Sequence, residues 1–316
     1  MTALLHAYDI TPDGRAVALS GEDLARPIPE GSWRWVNLLR TEPDVAPILT
    51  TLGLPEAAID ALLVEETRPR AWNVGGRTLM VLRGVNLNEE IGDHPLIALR
   101  MSVSDRKVVT CRKFRFRALD DLVNRCEASA APPSPAAFVT DLIDGLSTRF
   151  DARIIELDKR LQGIDQASGP HREDELAALR RDLLPLGRFM TPQREALSRL
   201  GTLAHSWATQ EDLTAIADSE NEFVRQIEHL REIESQAALL RDDLAAETAA
   251  TQARHTYLIT ILAALFVPLS FITGLLGMNV AGIPGAETPY AFLLVLLLMA
   301  GSFAAGIGLL KWRGWI

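Results

Sequence analysis

The stretch that decides the fold is RHTYLITILAALFVPLSFITGLLGMN, residues 254–279. After its opening charge it runs without a charged residue from 257 to 276, and a second uncharged run of the same length, 291–310, follows. A helix of about twenty residues is about 30 Å long, which matches the hydrocarbon thickness of a bilayer. The sequence therefore predicts two membrane-spanning helices rather than the core hairpin of a soluble domain.

Charges at the ends of these two runs predict their orientation. Arg254 precedes the first run, Lys311 and Arg313 follow the second, and the connection between them holds only Glu287. Basic residues flank the cytosolic ends of membrane helices. We therefore expect both termini in the cytosol and the protein in the cell (inner) membrane. Four aromatic residues stand where interfacial anchors are expected: Tyr257, Tyr290, Trp312 and Trp315.

The segment before the first run is predicted to be one long stalk helix. No glycine or proline occurs between Gly201 and Pro268, and Ser219 with Glu222 makes a capping box. The helix is expected to begin there and continue into the first span. Its apolar stripe has helical spacing and needs a partner to pack on. The stripe consists of Phe223, Ile227, Leu230, Ile233, Ala237, Leu240 and Leu244.

The net charge of −9 is concentrated on this stalk. Residues 211–250 hold eleven acidic residues and three arginines, and no basic patch of the kind that nucleic acid requires is found elsewhere. Repeated around a symmetry axis, the acidic segment would raise the local concentration of cations at the inner mouth of a pore. The acids singled out for this role are Glu228, Glu232, Asp242 and Asp243.

One stripe of the first span collects small and hydroxylated side chains and is predicted to line an ion path. It consists of Thr256, Thr260, Ala263, Val267, Ser270 and Gly274, hereafter the polar stripe. Hydroxyl groups also bond back to their own helix, so the pattern alone leaves a purely local role open. Pro268 lacks a backbone donor in mid-span and is a candidate hinge.

Two helices cannot enclose a water-filled path, so transport requires a homo-oligomer. The second span carries small residues that permit close helix approach in lipid: Gly301, Ser302, Gly306 and Gly308.

The part before the stalk is predicted to be an α+β cytosolic domain. Strand-like runs at 33–38, 78–84, 97–103 and 107–112 are separated by turns such as Gly75-Gly76 and Ser104-Asp105. Helices are expected at 44–52, 55–63, 136–166 and 173–200, the last interrupted by Pro185 and Pro192. The expected organisation is an α/β domain at 1–131, a helical region at 132–218, the stalk and first span at 219–276, an outer loop at 277–290, the second span at 291–310 and a basic tail at 311–316.

Signals for an enzyme or a bound cofactor are missing from the sequence. No nucleotide-binding, zinc-protease or serine-nucleophile motif occurs, so we expect neither catalysis nor a permanently bound cofactor. Cys111 and Cys126 lack metal-site spacing and are expected to be structural. The six histidines are scattered, and only His229 and His255 have helical neighbours that could support metal or proton binding.

The tripeptide Gly277-Met278-Asn279 resembles the signature of the CorA superfamily of divalent cation transporters. The preceding run, 268–274, and the segment Leu179–Leu186 are similar to the same family, so the resemblance covers most of the chain. It implies a CorA-like homopentameric funnel with a pore lined by the first span. It also implies that Gly277, Met278 and Asn279 form the ion-selectivity motif. A ring of Asn279 amides would hydrogen-bond the hydration shell of the metal, which spares the ion dehydration.

Two departures point to a subgroup. Leu276 stands where an aromatic residue is usual, and residues 280–285 extend the motif as in the ZntB-like zinc transporters. The resemblance implies Zn²⁺ transport with proton coupling and tolerance of Co²⁺, Ni²⁺ or Cd²⁺. Two alternatives stay open: a CorA-type Mg²⁺ channel that also passes Co²⁺ or Ni²⁺, and a membrane-anchored sensor or signalling protein.

Overall fold

The structure is a computed structural model that describes residues 2–65, 68–88, 95–169, 171–203, 206–278 and 288–315. The chain forms two compact units, residues 1–240 and residues 241–316. Each unit is described by itself below.

The first unit is built on a sheet. Within the described ranges its strands are β1 (Leu4–Ile10), β2 (Ala16–Ala18), β3 (Trp33–Leu39), β4 (Arg70–Val74), β5 (Arg77–Val85), β6 (Leu96–Ser104) and β7 (Lys107–Arg112). Their order across the sheet is β2-β1-β3-β7-β6-β5-β4. Strands β3 and β7 are parallel, with Val36 opposite Val109, and the other neighbouring pairs are antiparallel.

The four predicted strands are confirmed as β3, β5, β6 and β7. The turn predicted at Gly75-Gly76 joins β4 to β5, and both glycines have positive φ, 56° and 75°. Two consecutive positive φ values characterise the tight turn that suits the twist of a hairpin. Strands β1, β2 and β4 were not predicted, because they are short or lack clear alternation.

One face of the sheet is covered by two short helices, α1 (Val45–Thr51) and α2 (Glu56–Leu63). Their apolar residues form a common core with the strands, in which Leu38, Leu49 and Cys111 are fully buried. Burial also raises the pKa of the Cys111 thiol to about 12. Cys111 therefore acts as a small apolar core residue, as the sequence indicated.

The opposite face is covered by α3 (Arg117–Glu127) and α4 (Pro135–Gln166). Phe138 of α4 packs on Trp35, with ring centroids 4.9 Å apart. Helix α4 begins as the sequence predicts, because Ser134 accepts a hydrogen bond from the Ala137 amide at 3.1 Å. Helix α3 was not predicted, although its buried residues recur at helical spacing.

Helix α5 (Arg172–Thr202) corrects one prediction. The sequence indicated that Pro185 and Pro192 interrupt it, yet the helix continues through both residues. Leu183, Leu186 and Met190 are buried around the first proline, so tertiary packing offsets the lost backbone bond.

Gln193 of α5 fastens this helix to the sheet. Its side-chain amide accepts from the Arg83 N–H at 2.7 Å and donates to the Arg83 carbonyl at 2.8 Å. Arg83 lies on β5 beyond the last residue that β4 pairs with. Gln193 therefore occupies the place that a further residue of β4 would take.

Helix α6 (Gln210–Leu276) is one continuous helix, as predicted, but it begins nine residues before the expected start. The prediction that Ser219 caps it is wrong. Ser219 lies inside the helix and hydrogen-bonds Asp144 at 2.7 Å. The capping box is instead formed by Thr209 and Asp212: the Thr209 N–H donates to the Asp212 carboxylate at 2.8 Å, and the Asp212 N–H donates to the Thr209 hydroxyl at 3.3 Å.

The predicted apolar stripe of the stalk is buried. In the first unit Phe223 is 0% exposed and packs on Phe150 of α4, with ring centroids 5.7 Å apart. Gln226, two turns before Ile233, donates from its side chain to the Ser147 carbonyl at 3.0 Å. The first part of α6 is therefore an integral helix of the N-terminal unit.

The second unit contains the rest of α6 and α7 (Ala291–Trp312). Both helices have a stretch that is long and apolar enough to cross a membrane, and these stretches are almost entirely unburied within the chain. Helix α6 ends at Leu276, at the predicted end of the first span.

Candidate ion pathway

The first span shows one packed face and one free face. Its half-buried residues recur at spacings of four, four and three, while the intervening residues are exposed. They are Ile261, Leu265, Leu269 and Ile272. Helix α7 has a matching half-buried series on its own side, and Leu265 meets it at Gly306, where an added Cβ would lie 3.0 Å from the Leu265 Cδ2 atom.

The polar stripe lies on the opposite side of α6 from this packed face. At about 100° per residue, Val267 and Ala263 lie roughly opposite Leu265. All six residues of the stripe are exposed, and Val267 is 64% exposed. Helix α7 therefore covers the leucine face and leaves the polar stripe exposed within the described part of the chain.

The small residues of α7 divide into two kinds. Among its three glycines, Gly306 is approached by a side chain of α6, whereas an added Cβ at Gly301 or Gly308 would meet nothing within 4 Å. Close packing inside the hairpin therefore depends on Gly306, a distinction that the sequence pattern did not make.

One hydroxyl group of the polar stripe donates a hydrogen bond within its own helix. The Thr260 hydroxyl donates to the Thr256 carbonyl at 2.8 Å. Both threonines also line an open groove of about 560 Å³ together with Gln252, Tyr257 and Trp315. A hydroxyl that donates to its own helix keeps an acceptor lone pair, so it can still face water. Helix α6 continues through Pro268 without interruption, and the hinge at this residue stays a prediction.

The motif at the C-terminal end of α6 falls partly outside the described residues. Gly277 donates from its backbone N–H to the Thr273 carbonyl at 2.9 Å, and an added Cβ would lie 2.8 Å from that oxygen. Its φ is not among the positive values, so glycine is required here for close approach. Met278 is 48% exposed. Asn279 and residues 280–285 lie outside the described residues.

The predicted cation-attracting acids are all exposed. In the first unit, Glu232 accepts a hydrogen bond from the Gln236 side chain at 3.2 Å, and Glu228 is one turn away. In the second unit, Asp242 pairs with Arg241 at 2.6 Å, next to Asp243. Among the residues that the structure describes, no three His, Cys, Asp or Glu side chains form a metal-binding group. These acids can therefore contribute a negative electrostatic potential, but they do not form a chelating site within the described residues.

Two histidines, His229 and His255, have helical neighbours that could support metal or proton binding. His229 lies 3.8 Å from Asp158 of α4, measured between Nε2 and Oδ2. His255 lines a second groove of about 580 Å³ with Glu247, Thr248, Thr251 and Gln252. Neither histidine is part of a larger ligand cluster within the described ranges.

Glu234 is a titratable contact of the stalk that the sequence did not single out. Its carboxyl packs against α5, since a Cβ at Gly187 would lie 2.7 Å from the Glu234 Oε1 atom. Burial raises the pKa of the Glu234 carboxyl, and the nearby charge of Arg231 lowers it. Burial outweighs Arg231, so the neutral form of Glu234 is favoured on folding.

The end of the hairpin opposite the Gly277-Met278 pair is closed by the residues that follow α7. Gly314, with φ 71°, donates to the Lys311 carbonyl at 3.0 Å, and Trp315 donates to the Leu310 carbonyl at 2.9 Å. This pair of bonds is a Schellman motif. It brings the Trp315 carbonyl to the Tyr257 hydroxyl, which donates a hydrogen bond to it. The signal for this turn, a basic residue followed by glycine after an apolar run, is visible in the sequence.

The described fold defines a class of membrane protein. An α/β unit leads through one very long helix into two apolar helices, the first of which ends at a Gly-Met pair. A family model described as CorA-like Mg2+ transporter protein matches residues 30–311. The chain therefore belongs to the CorA family and is a divalent cation transporter of that family.

Comparison with individual proteins agrees with this assignment. The chain is 34% identical over 282 residues to the divalent cation transporter CmaX of Pseudomonas aeruginosa, covering 87% of this chain and 84% of CmaX. It is 30% identical over 263 residues to the zinc transport protein ZntB of Yersinia enterocolitica, covering 82% and 80%. The structure of full-length CmaX superposes with a TM-score of 0.83 at 29% identity, covering 98% of this chain and 97% of CmaX.

These comparisons confirm the family and the CorA-like fold expected from the sequence. The expectation that the chain is not an enzyme agrees with the transporter names of the relatives. The relatives named CmaX and ZntB match this chain at similar identity, 34% and 30%.

Proposed function

We propose that the protein carries Zn²⁺ across the cell (inner) membrane through a homopentameric pore lined by α6. The observation that carries the proposal is the position of the polar stripe on the side of α6 that α7 leaves uncovered. If copies assemble around an axis with α7 outside, small and hydroxylated side chains face the axis and leucines face α7. Polar groups at membrane depth must face protein or water, and this arrangement satisfies that requirement.

Several relatives support Zn²⁺ as the cargo. Zinc transport proteins named ZntB match up to 98% of this chain. The chain holds no cofactor in this proposal, and the metal ion is the substrate. Co²⁺, Ni²⁺ and Cd²⁺ have the same charge as Zn²⁺, and the transporter is expected to tolerate them as well. Proton coupling is part of the proposal because it is implied by the zinc subgroup.

Asn279 is proposed to select the ion. Its amide can hydrogen-bond water bound to a divalent cation, so capture does not require stripping the hydration shell. Gly277 and Met278 would position it: Gly277 by its close approach to Thr273, and Met278 by packing. Pro268 is proposed as the hinge that lets α6 change its curvature.

A Mg²⁺ channel is the second candidate. It is favoured by the description of the matching family model, CorA-like Mg2+ transporter protein. In that case Asn279 has the same role, and Co²⁺ or Ni²⁺ would pass as well. The two candidates differ in the ion that competes for the pathway and in their response to a pH gradient.

Flux through Asn279→Ala tests the proposal. In proteoliposomes with a fluorescent zinc indicator, we expect this variant to lose Zn²⁺ flux while assembling as the wild type does. Met278→Leu is the matched neighbour and should keep flux, since packing rather than a sulfur ligand is proposed there. Normal Zn²⁺ flux in Asn279→Ala would refute the role of the amide.

The same liposomes separate the two candidate cargoes. Excess Mg²⁺ should leave Zn²⁺ uptake largely intact, and an imposed pH gradient should change its rate. Strong inhibition by Mg²⁺, with Mg²⁺ uptake and no response to the pH gradient, would identify the magnesium channel instead.

A further inference from the structure

The inner end of the hairpin carries positive charge without any acid. Residues 248–262 and 308–316 contain three arginine or lysine residues and no Asp or Glu. These cations are Arg254, Lys311 and Arg313, hereafter the inner basic cluster. None of the three forms an ion pair with another described residue.

The three cations lie at one end of the hairpin. Arg254 shares the face of α6 that carries Ile261 and Leu265, because spacings of seven and eleven residues return to the same face of a helix. This is the face on which α7 packs. Arg254 lies about 10 Å before Ile261 along the helix, at the end where α7 stops. Lys311 and Arg313 are in the last turn and the cap of α7.

The turn after α7 prepares this end for an anion. The N–H groups of Gly314 and Trp315 donate to the last carbonyls of the helix, so fewer carbonyl oxygens face an incoming negative charge. The Arg313 guanidinium lies 6.0 Å from the centroid of the Trp312 ring, and Trp312 is 80% exposed. An exposed indole beside unpaired cations is typical of a surface at the level of lipid headgroups.

We propose that the inner basic cluster binds the headgroup of an anionic phospholipid of the cytosolic leaflet, such as phosphatidylglycerol. The proposal rests on the proposed function and on the cytosolic position of both termini that the flanking charges predict. A phosphodiester with no cationic group beside it can accept charge-assisted hydrogen bonds from the cations of this cluster. In phosphatidylcholine the choline cation offsets the phosphate, so the same cluster gains little from that lipid.

The site is connected to the first span. Trp315 follows the cluster directly and accepts the hydrogen bond of the Tyr257 hydroxyl. Tyr257 and Thr256 both line the groove at the start of the span. A bound headgroup would therefore support the position of the C-terminal turn against the helix that carries the polar stripe.

Lipid affinity of the full-length protein in detergent tests the proposal. Phosphatidylglycerol or phosphatidylcholine is titrated into the purified protein, and the apparent Kd is read from the shift in thermal midpoint. Each cation near a membrane surface strengthens anionic-lipid binding about fivefold, so Lys311→Gln with Arg313→Gln should weaken phosphatidylglycerol binding about thirtyfold. The preference over phosphatidylcholine should then disappear.

A control of equal charge change is Arg15→Gln with Lys113→Gln, two exposed cations of the N-terminal unit. It should keep the wild-type preference. Lys311→Arg with Arg313→Lys retains both charges and should keep it as well. If the double glutamine variant does not fold, Arg254→Gln is used alone and should weaken binding about fivefold.

Two results would overturn the proposal: an unchanged preference for phosphatidylglycerol in the glutamine variants, or an equal thermal shift from inorganic phosphate, which would make the cluster a general anion site. Zn²⁺ flux is not the readout. Loss of flux through Asn279→Ala bears only on the proposed function, and loss of lipid preference bears only on the cluster.

Discussion

At the level of a single residue, we expect the carboxyl group of Glu234 to make the stability of the stalk depend on pH. Glu234 packs against Gly187, and burial raises the pKa of its carboxyl. A carboxyl whose pKa rises on folding binds more protons in the folded state, so its contribution to stability is present at low pH. It is lost as the pH rises from the unfolded pKa through the folded pKa.

We expect Glu234→Gln to raise the thermal midpoint relative to wild type at pH 8 and to have less effect at pH 4. The glutamine keeps the shape of the side chain and removes the charge. Asp218→Asn, an exposed acid of the same helix, is the control and should show no such trend. Thermal unfolding of the full-length protein at both pH values measures the difference. An equal effect at pH 4 and pH 8 would contradict the role of the charge.

At the level of elements, the hairpin depends on one glycine of α7. Among the described glycines of α7, Gly306 is the one at which an added Cβ would meet a side chain of α6, the Leu265 Cδ2 atom at 3.0 Å. Replacing Gly306 by leucine forces α6 and α7 apart, because overpacking of a close contact costs about 1–3 kcal/mol. We expect Gly306→Leu to lower the thermal midpoint in detergent.

Gly308→Leu is the matched control, since nothing lies within 4 Å of its added Cβ. If Gly308→Leu destabilised the protein as much as Gly306→Leu, the contact between Leu265 and Gly306 would not be what holds the hairpin. A larger effect on assembly from Gly308→Leu would place that glycine between copies.

The packing of α6 in the first unit gives a second prediction for an element. Phe223 is fully buried against Phe150, whereas Leu239 of the same helix is 65% exposed. Phe223→Ala removes a large buried side chain and is expected to destabilise the N-terminal unit by about 3–5 kcal/mol. Leu239→Ala should change stability by less than about 0.5 kcal/mol. Denaturant unfolding followed by tryptophan fluorescence compares the two, and equal losses would contradict the packing.

The elements also show what sequence can predict. The long uncharged runs and the stripe beginning at Phe223 have strong periodicity, so both spans and the stalk were predicted. The start of α6 was not, because Ser219 with Glu222 and Thr209 with Asp212 are equally good local caps. The choice between them depends on tertiary contacts, because the Ser219 hydroxyl donates its hydrogen bond to Asp144 of α4.

For the candidate ion pathway, the sequence predicts which residues share a helix face but not what that face packs against. The polar stripe follows from helical spacing, but its position opposite α7 depends on which face of α6 the second span covers. The Gly306 contact has no signal that separates it from Gly301 or Gly308. The role of Asn279 comes from family resemblance, and that residue lies outside the described ranges.

At the level of the whole molecule, the uneven charge should control how cations reach the pathway. Most of the net charge of −9 lies on the stalk, and the four proposed acids are exposed. Neutralising Glu228, Glu232, Asp242 and Asp243 to their amides is expected to raise the apparent KM for Zn²⁺ about tenfold at low salt. The effect should shrink at high salt, because screening shortens the reach of exposed charges.

Zn²⁺ flux in proteoliposomes at two ionic strengths measures this dependence. The matched control neutralises exposed acids elsewhere, Asp13, Glu30, Glu56 and Asp105. A salt-independent loss in the stalk variant, or an equal loss in the control, would contradict steering by the stalk.

The bond pair between Gln193 and Arg83 has a consequence for a protein that is crowded on a membrane surface. An open strand edge is a template on which a strand from another molecule can add, and this is a common start of aggregation. Beyond the end of the edge strand β4, Gln193 pairs with the backbone of β5 at Arg83, so a foreign strand cannot add to β5 at that point. At the opposite edge, β2 is only three residues long. Both features shorten the length of strand that is open to pairing with another copy of the protein.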